Sequence, residues 1–154
     1  MDKNTYCVIM AGGIGSRFWP ISATEQPKQF LDILGTGKSL LRQTYERFCE
    51  LCATENIYVV TNKNYRELVK EQIPEMSREQ VLCEPERKNT APCIAYASYK
   101  ISMLNPEANI VVTPSDHLIV REKEFIETIN IGLNCSKKQD CLITLGIKPS
   151  RPDT

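Results

Sequence analysis

The chain has 154 residues, 42% of them hydrophobic and 25% charged, and nineteen Lys and Arg balance nineteen Asp and Glu to zero net charge. That length supports one domain that buries about 70% of its unfolded surface without covalent staples. The composition excludes a disordered chain, and the absence of net positive charge argues against a general nucleic-acid-backbone binder.

Tyr6-Cys7-Val8-Ile9-Met10 reads as a buried strand and runs into a glycine-rich loop. Leu40, Leu41, Thr44, Tyr45, Phe48, Leu51 and Cys52 recur at helical spacing and predict a helix over 39–53. Ile57-Tyr58-Val59-Val60-Thr61 is the next strand. Asn64 with Glu67 three residues on predicts a capping box, opening a helix that stops near Pro74. A short strand follows at Val81-Leu82-Cys83. Thr90 is then the expected cap of a helix with Pro92 in its first turn and an apolar face of Ile94, Ala97, Ile101 and Leu104. Asn109 to Thr113 gives a fourth strand, Phe125, Ile126, Ile129 and Leu133 a fourth helix, and Leu142 to Ile147 a fifth strand.

The order β-α-β-α-β-α-β-α-β, with uniformly apolar strands, predicts an α/β fold: a Rossmann-like parallel sheet with helices on both faces. In such sheets ligands sit beyond the carboxyl ends of the strands, where the strand order reverses. The loops after Met10, Cys83 and Thr113 are therefore where chemistry is expected. No stretch approaches the roughly 20 apolar residues of a membrane span, and residues 1–5 do not resemble a secretory leader, so a cytoplasmic location is expected. Cys7, Cys83, Cys93, Cys135 and Cys141 stand singly in apolar segments, as small buried hydrophobes of a reducing compartment do. Cys49 and Cys52 have C-x-x-C spacing, but with no second pair and His117 as the single histidine, neither metal nor redox use is expected there.

The first loop, Ala11-Gly12-Gly13-Ile14-Gly15-Ser16-Arg17, has three glycines within four residues. They permit close backbone approach to a ligand and positive φ, successive N–H groups can form an anion nest, and Arg17 adds a forked cation suited to phosphate. Neither common phosphate fingerprint fits. Phe18 stands where a dinucleotide motif needs its third glycine, and Asp32 stands where a P-loop ending in Gly37-Lys38-Ser39 needs its first. Gly37-Lys38-Ser39 is better read as a turn in which Ser39 caps the next helix. Pro27-Lys28-Gln29-Phe30 follows, with Phe30 as a buried anchor and Lys28 able to reach the phosphate site.

Residues 11–20 and Pro27-Lys28-Gln29-Phe30-Leu31 together resemble the signature of mannose-1-phosphate guanylyltransferases (GDP-mannose pyrophosphorylases), among the sugar-nucleotide nucleotidyltransferases. Glu84-Pro85 with Asn89-Thr90-Ala91-Pro92, Pro114-Ser115-Asp116-His117, and Leu145-Gly146-Ile147-Lys148-Pro149 with Arg151-Pro152-Asp153-Thr154 resemble the same family in the same order. The resemblance implies transfer of GMP from GTP to mannose 1-phosphate, with Mg²⁺ as cofactor and no protein nucleophile. It implies that Gly12, Gly13, Gly15 and Ser16 cradle the triphosphate, that Arg17 and Lys28 are the catalytic cations, and that Asp116 holds the metal. Ala11, Gly12, Glu84, Asn89 and Thr90 would meet the base. Glu84 fits that role chemically, because guanine presents N1–H and N2–H₂ on one edge and a carboxylate accepts both. Asn89, Thr90 and the helix start after them suit contact with the base or the phosphates.

Two positions depart from the family pattern: Ala23 and Lys88 stand where arginines are usual, which weakens anion binding. Family members continue well beyond 154 residues, with sugar-binding and further acidic metal-binding residues. Residues 1–154 are thus expected to form the N-terminal nucleotide-binding part of a truncated nucleotide-diphospho-sugar transferase fold, of low activity alone. A homodimer of the full-length protein stays open. The alternatives are a nucleotidyltransferase for another sugar 1-phosphate and a non-catalytic nucleotide-binding module.

Overall fold

A computed structural model describes residues 2–14, 19–86, 88–139 and 141–147. Four strands, β1 (Thr5–Met10), β2 (Ile57–Asn62), β3 (Val81–Glu84) and β4 (Asn109–Pro114), alternate with four helices. The helices are α1 (Leu40–Cys49), α2 (Arg66–Gln72), α3 (Thr90–Leu104) and α4 (Glu122–Ser136). The strands form one parallel sheet in the order β3-β2-β1-β4. β1 pairs Cys7 with Ile57 and Met10 with Val60 on one side, and Thr5 with Asn109 and Met10 with Pro114 on the other. The chain steps outward through β2 and β3 and then crosses back to the far side of β1, so the reversal of strand order falls between β1 and β4.

Alternation along each strand divides the core into two layers. Cys7, Ile9, Ile57, Val59 and Val81 face Leu41, Tyr45 and Phe48 of α1, Val69 of α2, and Ile126, Ile129 and Leu133 of α4. Tyr6, Val8, Tyr58, Val60 and Leu82 face Cys93, Ala97 and Ile101 of α3. Helices thus cover both faces, as the uniformly apolar strands predict. Phe48 meets Phe125 edge-on at 6.3 Å, and the buried Arg47 donates from Nε to Glu122 Oε1 at 2.8 Å, so α1 and α4 are joined by an aromatic and an ionic contact.

Four local expectations are revised. Ser39 caps α1 as predicted, its hydroxyl accepting from Arg42 N at 3.1 Å, but the helix ends at Cys49 rather than 53. Leu51 and Cys52 are buried in a tight turn whose N–H groups both reach back to the Phe48 carbonyl. The Asn64–Glu67 box does not form. Asn62 Oδ1 accepts from Asn64 N at 2.8 Å and opens a 3₁₀ turn over Lys63–Tyr65 that runs straight into α2. Thr90 is the first residue of α3 rather than its cap, and Asn89 holds the cap position without a side-chain hydrogen bond.

Residues 142–147 form no strand. Leu142, Leu145 and Ile147 are exposed, and Ile143 lies beside Gly132 of α4. An apolar run becomes a strand only where it finds a ladder, and this one finds none among the described residues. Burial also separates the cysteines. Cys7, Cys52 and Cys93 are buried, Cys49 and Cys83 are half-buried, and Cys135 and Cys141 are exposed. Cys135 follows Leu133 by two residues and so leaves the buried face of α4.

Desolvation pushes the Cys52 thiol up to about 12 and raises Cys7 well above the ordinary thiol range. In iodoacetamide labelling at pH 8 read by peptide mass mapping, Cys135 is modified well before Cys7 and Cys52, which react only at the rate of unfolding. Equal rates at the three thiols contradict this burial order.

Candidate active site

The site is assembled where the carboxyl ends of the strands converge. After β1 the chain is held on both sides: Ala11 N donates to the Val60 carbonyl at 2.8 Å, and Ser115 N, just after β4, donates to the Met10 carbonyl at 3.1 Å. Thr61 Oγ1 of β2 donates to the Ala11 carbonyl at 3.0 Å. The buried Gln29 donates from Nε2 to the carbonyls of Ala11, at 3.0 Å, and Gly13, at 2.8 Å. Both partners are pure acceptors, which defines the orientation of the amide.

Gln29 lies in a 3₁₀ turn, Lys28–Phe30, that Pro27 opens in extended conformation. Phe30 is the buried anchor expected of it, its ring meeting that of Tyr65 edge to face with centroids 5.7 Å apart, and the Tyr65 hydroxyl donates to the Thr24 carbonyl at 2.8 Å. With the turn fixed this way, Lys28 Nζ lies 3.3 Å from Asp116 Oδ2. Two residues predicted to share one site, far apart in the chain, are therefore an ion pair at the point where strand order reverses.

A second pairing involves the loop and the end of β3. Gly12 does not use the left-handed backbone region; its lack of a side chain matters because a Cβ would stand 3.3 Å from Glu84 Oε2. Gly13 likewise has no left-handed φ and open space around it. Gly12 thus serves close approach rather than an unusual dihedral, and neither Gly12 nor Gly13 uses the positive φ that the sequence allowed for. Glu84 is buried and near Cys93, whose thiol is pushed up to about 11, first by burial and then by the Glu84 charge. Beside Glu84 opens a cavity of about 290 Å³ lined by Pro85, Glu86, Lys88, Pro92 and Tyr96. Lys88, the point charge standing for an arginine, is paired with Glu86 at 3.0 Å.

At the cavity rim Asn89 has φ 66° and ψ −164°, a region that glycine alone occupies without strain. Asn89 and Thr90 are exposed. Gly12 and Glu84, which lines the cavity, are brought together, with Ala11 next to Gly12 in the chain, and Lys28 is brought to Asp116. Gly15, Ser16 and Arg17 lie outside the described residues. His117 is exposed. Gln29 was visible in sequence only as a neighbour of Lys28, because a single amide carries no spacing pattern that reveals its acceptors. A larger cavity of about 350 Å³, between α1 and α4, is lined by Lys38, Glu46, Arg47 and Glu122, which are engaged in ion pairs with one another, and contains none of these residues.

Among the described residues no cluster of three or more His, Cys, Asp or Glu is arranged to hold a metal. Asp116 offers a hard, partly exposed carboxylate. That fits a magnesium ion held by one or two carboxylates and completed by phosphate oxygens and water, and does not fit an all-protein cage.

A parallel sheet with a glycine loop after its first strand and a Lys–Asp pair at its switch point is an α/β arrangement of the kind that binds ligands beyond the carboxyl ends of its strands. The chain belongs to the nucleotidyl transferase family, whose model matches residues 6–154. It is 40% identical over 149 residues to a mannose-1-phosphate guanylyltransferase of Salmonella montevideo, covering 96% of this chain and 31% of that protein. It is 36% identical over 149 residues to the xanthan biosynthesis protein XanB of Xanthomonas campestris, with the same coverage of both. Among solved structures, a Thermus thermophilus protein described as a mannose-1-phosphate geranyltransferase superposes with a TM-score of 0.76 at 28% identity, over 88% of this chain and 39% of that one. The chain thus spans about a third of the length of the curated relatives it matches.

Replacing Asn89 with glycine relieves the backbone and is expected to raise stability by about 1 kcal/mol, whereas Asn89→Val lowers it by about 2 kcal/mol. Urea denaturation of the three chains checks the order Gly, Asn, Val.

Proposed function

We propose that this protein transfers GMP from GTP to mannose 1-phosphate, giving GDP-mannose and pyrophosphate. The observation that carries the reading is the Lys28–Asp116 pair, 3.3 Å apart at the switch point and beside a glycine loop. The names of the curated relatives support the choice of sugar and base.

In the reaction an oxygen of the sugar phosphate attacks the α-phosphorus of GTP. One P–O bond forms, the bond from the α-phosphorus to the bridging oxygen breaks, and its electrons leave with pyrophosphate. The protein supplies position and charge rather than a nucleophile. The backbone N–H groups of Gly12, Gly13, Gly15 and Ser16 receive the triphosphate, Arg17 balances charge on the departing pyrophosphate, and Lys28 meets the α-phosphate and the incoming sugar phosphate. Glu84 accepts from guanine N1–H and N2–H₂, with Ala11 and Gly12 packed against the base and Asn89 and Thr90 at its rim. Asp116 would hold Mg²⁺, which when bound supplies further neutralisation of phosphate charge. The setting is cytoplasmic, in keeping with cysteines that stand singly in apolar segments of the sequence.

Thermal denaturation of this chain with GTP, ATP, UTP or dTTP, each with and without Mg²⁺, tests the reading. At ten times its dissociation constant GTP contributes about 1.4 kcal/mol, a shift of roughly 3–6 °C. Stabilisation by GTP above the other three is expected, and an equal response to all four refutes the base assignment. Glu84→Gln replaces one acceptor with donors facing donors, so its GTP affinity falls by about 10–100-fold while ATP binding is unchanged. In the full-length protein, Lys28→Ala lowers GMP transfer by about 100-fold or more; transfer near the wild-type rate removes Lys28 from the mechanism.

A further inference from the structure

We infer that Gln29 is the positioning residue of the phosphate loop, an inference that rests on the nucleotide-binding reading above. A loop that receives phosphate must present N–H groups and keep its carbonyl oxygens elsewhere, because a carbonyl oxygen facing an anion repels it. In this loop the carbonyls of Ala11 and Gly13 both accept from the single buried amide of Gln29, at 3.0 and 2.8 Å. Oxygens committed to a buried donor cannot turn toward an incoming phosphate. Thr61 Oγ1 holds the Ala11 carbonyl a second time, and the carbonyl of Gly13 takes the shorter of the two bonds from Gln29. Gln29 therefore matters most at the glycine end of the loop.

The same turn sets the cation. Gln29 follows Lys28 directly, and Phe30 pins the turn into the core against Tyr65. The spacing between the loop and the Lys28–Asp116 pair is thus determined by one three-residue turn. A side chain at position 29 that donates nothing frees two carbonyls and loosens the loop, while Phe30 still holds the turn.

Two variants of this chain separate positioning from mere packing. Gln29→Met keeps the volume and removes both donors. Gln29→Glu keeps the shape, donates nothing when ionised, and donates one hydrogen bond when protonated. Affinity for GTP and for inorganic pyrophosphate is measured by calorimetry from pH 8 to pH 5.5, with ligand-free unfolding midpoints alongside. Each variant is compared with wild type at the same pH, so ionisation of the ligand cancels. Gln29→Met is expected to bind both ligands about 10–30-fold more weakly at every pH. Gln29→Glu is expected to match that loss at pH 8 and to recover at least threefold at pH 5.5, a trend that lost packing does not produce.

Affinity of Gln29→Met within twofold of wild type overturns the inference, as does a pH-independent loss in Gln29→Glu. If Gln29→Met does not fold, the Gln29→Glu pH profile decides alone. Pyrophosphate distinguishes the two levels of the reading. A wild-type chain that binds pyrophosphate but does not prefer GTP refutes the guanine assignment, while the Gln29 effect on pyrophosphate still supports the positioning role. A wild-type chain that binds neither ligand overturns both.

Discussion

The molecule depends on β1 being paired in parallel on both sides. Because Met10 is in register with Val60 of β2 and with Pro114 of β4, the chain must leave all three strands at the same edge of the sheet. Strand polarity therefore decides the location of the site before any side chain does. The buried register is expensive to shift, since a slip of one residue would exchange the two core layers that Cys7 and Ile9 on one face, and Tyr6 and Val8 on the other, now fill.

Within that frame, a few tethers convert proximity into geometry. The segment after β1 is bound by Val60 through Ala11 and by Ser115 through Met10, so the loops after β1 and β4 share backbone hydrogen bonds rather than side-chain contact alone. Thr44 of α1 donates to the Ser115 carbonyl at 3.3 Å, which extends the tether into the helical layer. The charges follow. The chain has no net charge, so anion attraction is local, and among the described site residues it is concentrated at Lys28 and Lys88. Each of these already has a carboxylate beside it, so bound phosphate competes with an internal partner.

What could be read from the sequence was whatever repeats or changes type at fixed spacing. The four strands and four helices follow from runs and 3.6-residue periodicity, and Ser39 from the turn chemistry before α1. Ends were harder. Thr90 has the hydroxyl of a good cap, yet the backbone turns at Asn89, whose dihedrals no propensity would assign to it. Asn62 takes the role expected of Asn64 because a 3₁₀ turn adds three residues before α2 begins. Residues 142–147 have the composition of a strand, but strand identity depends on a neighbouring ladder, which a local pattern does not contain. At the site, Lys28 and Asp116 were identified by resemblance, and only the fold brings them to 3.3 Å. The acceptors of Gln29 are 16 and 18 residues away and equally invisible to a local reading.

The approach of Gly12 to Glu84 has a consequence for how this surface is able to vary. A buried carboxylate whose oxygen lies 3.3 Å from the place of a missing methyl group must give by a few tenths of an ångström to admit one. Any larger residue at position 12 would be felt first by Glu84, and any bulkier replacement of Glu84 would be felt first by the loop. The two positions are therefore coupled in size, and added volume at one is taken up as a displacement of the other.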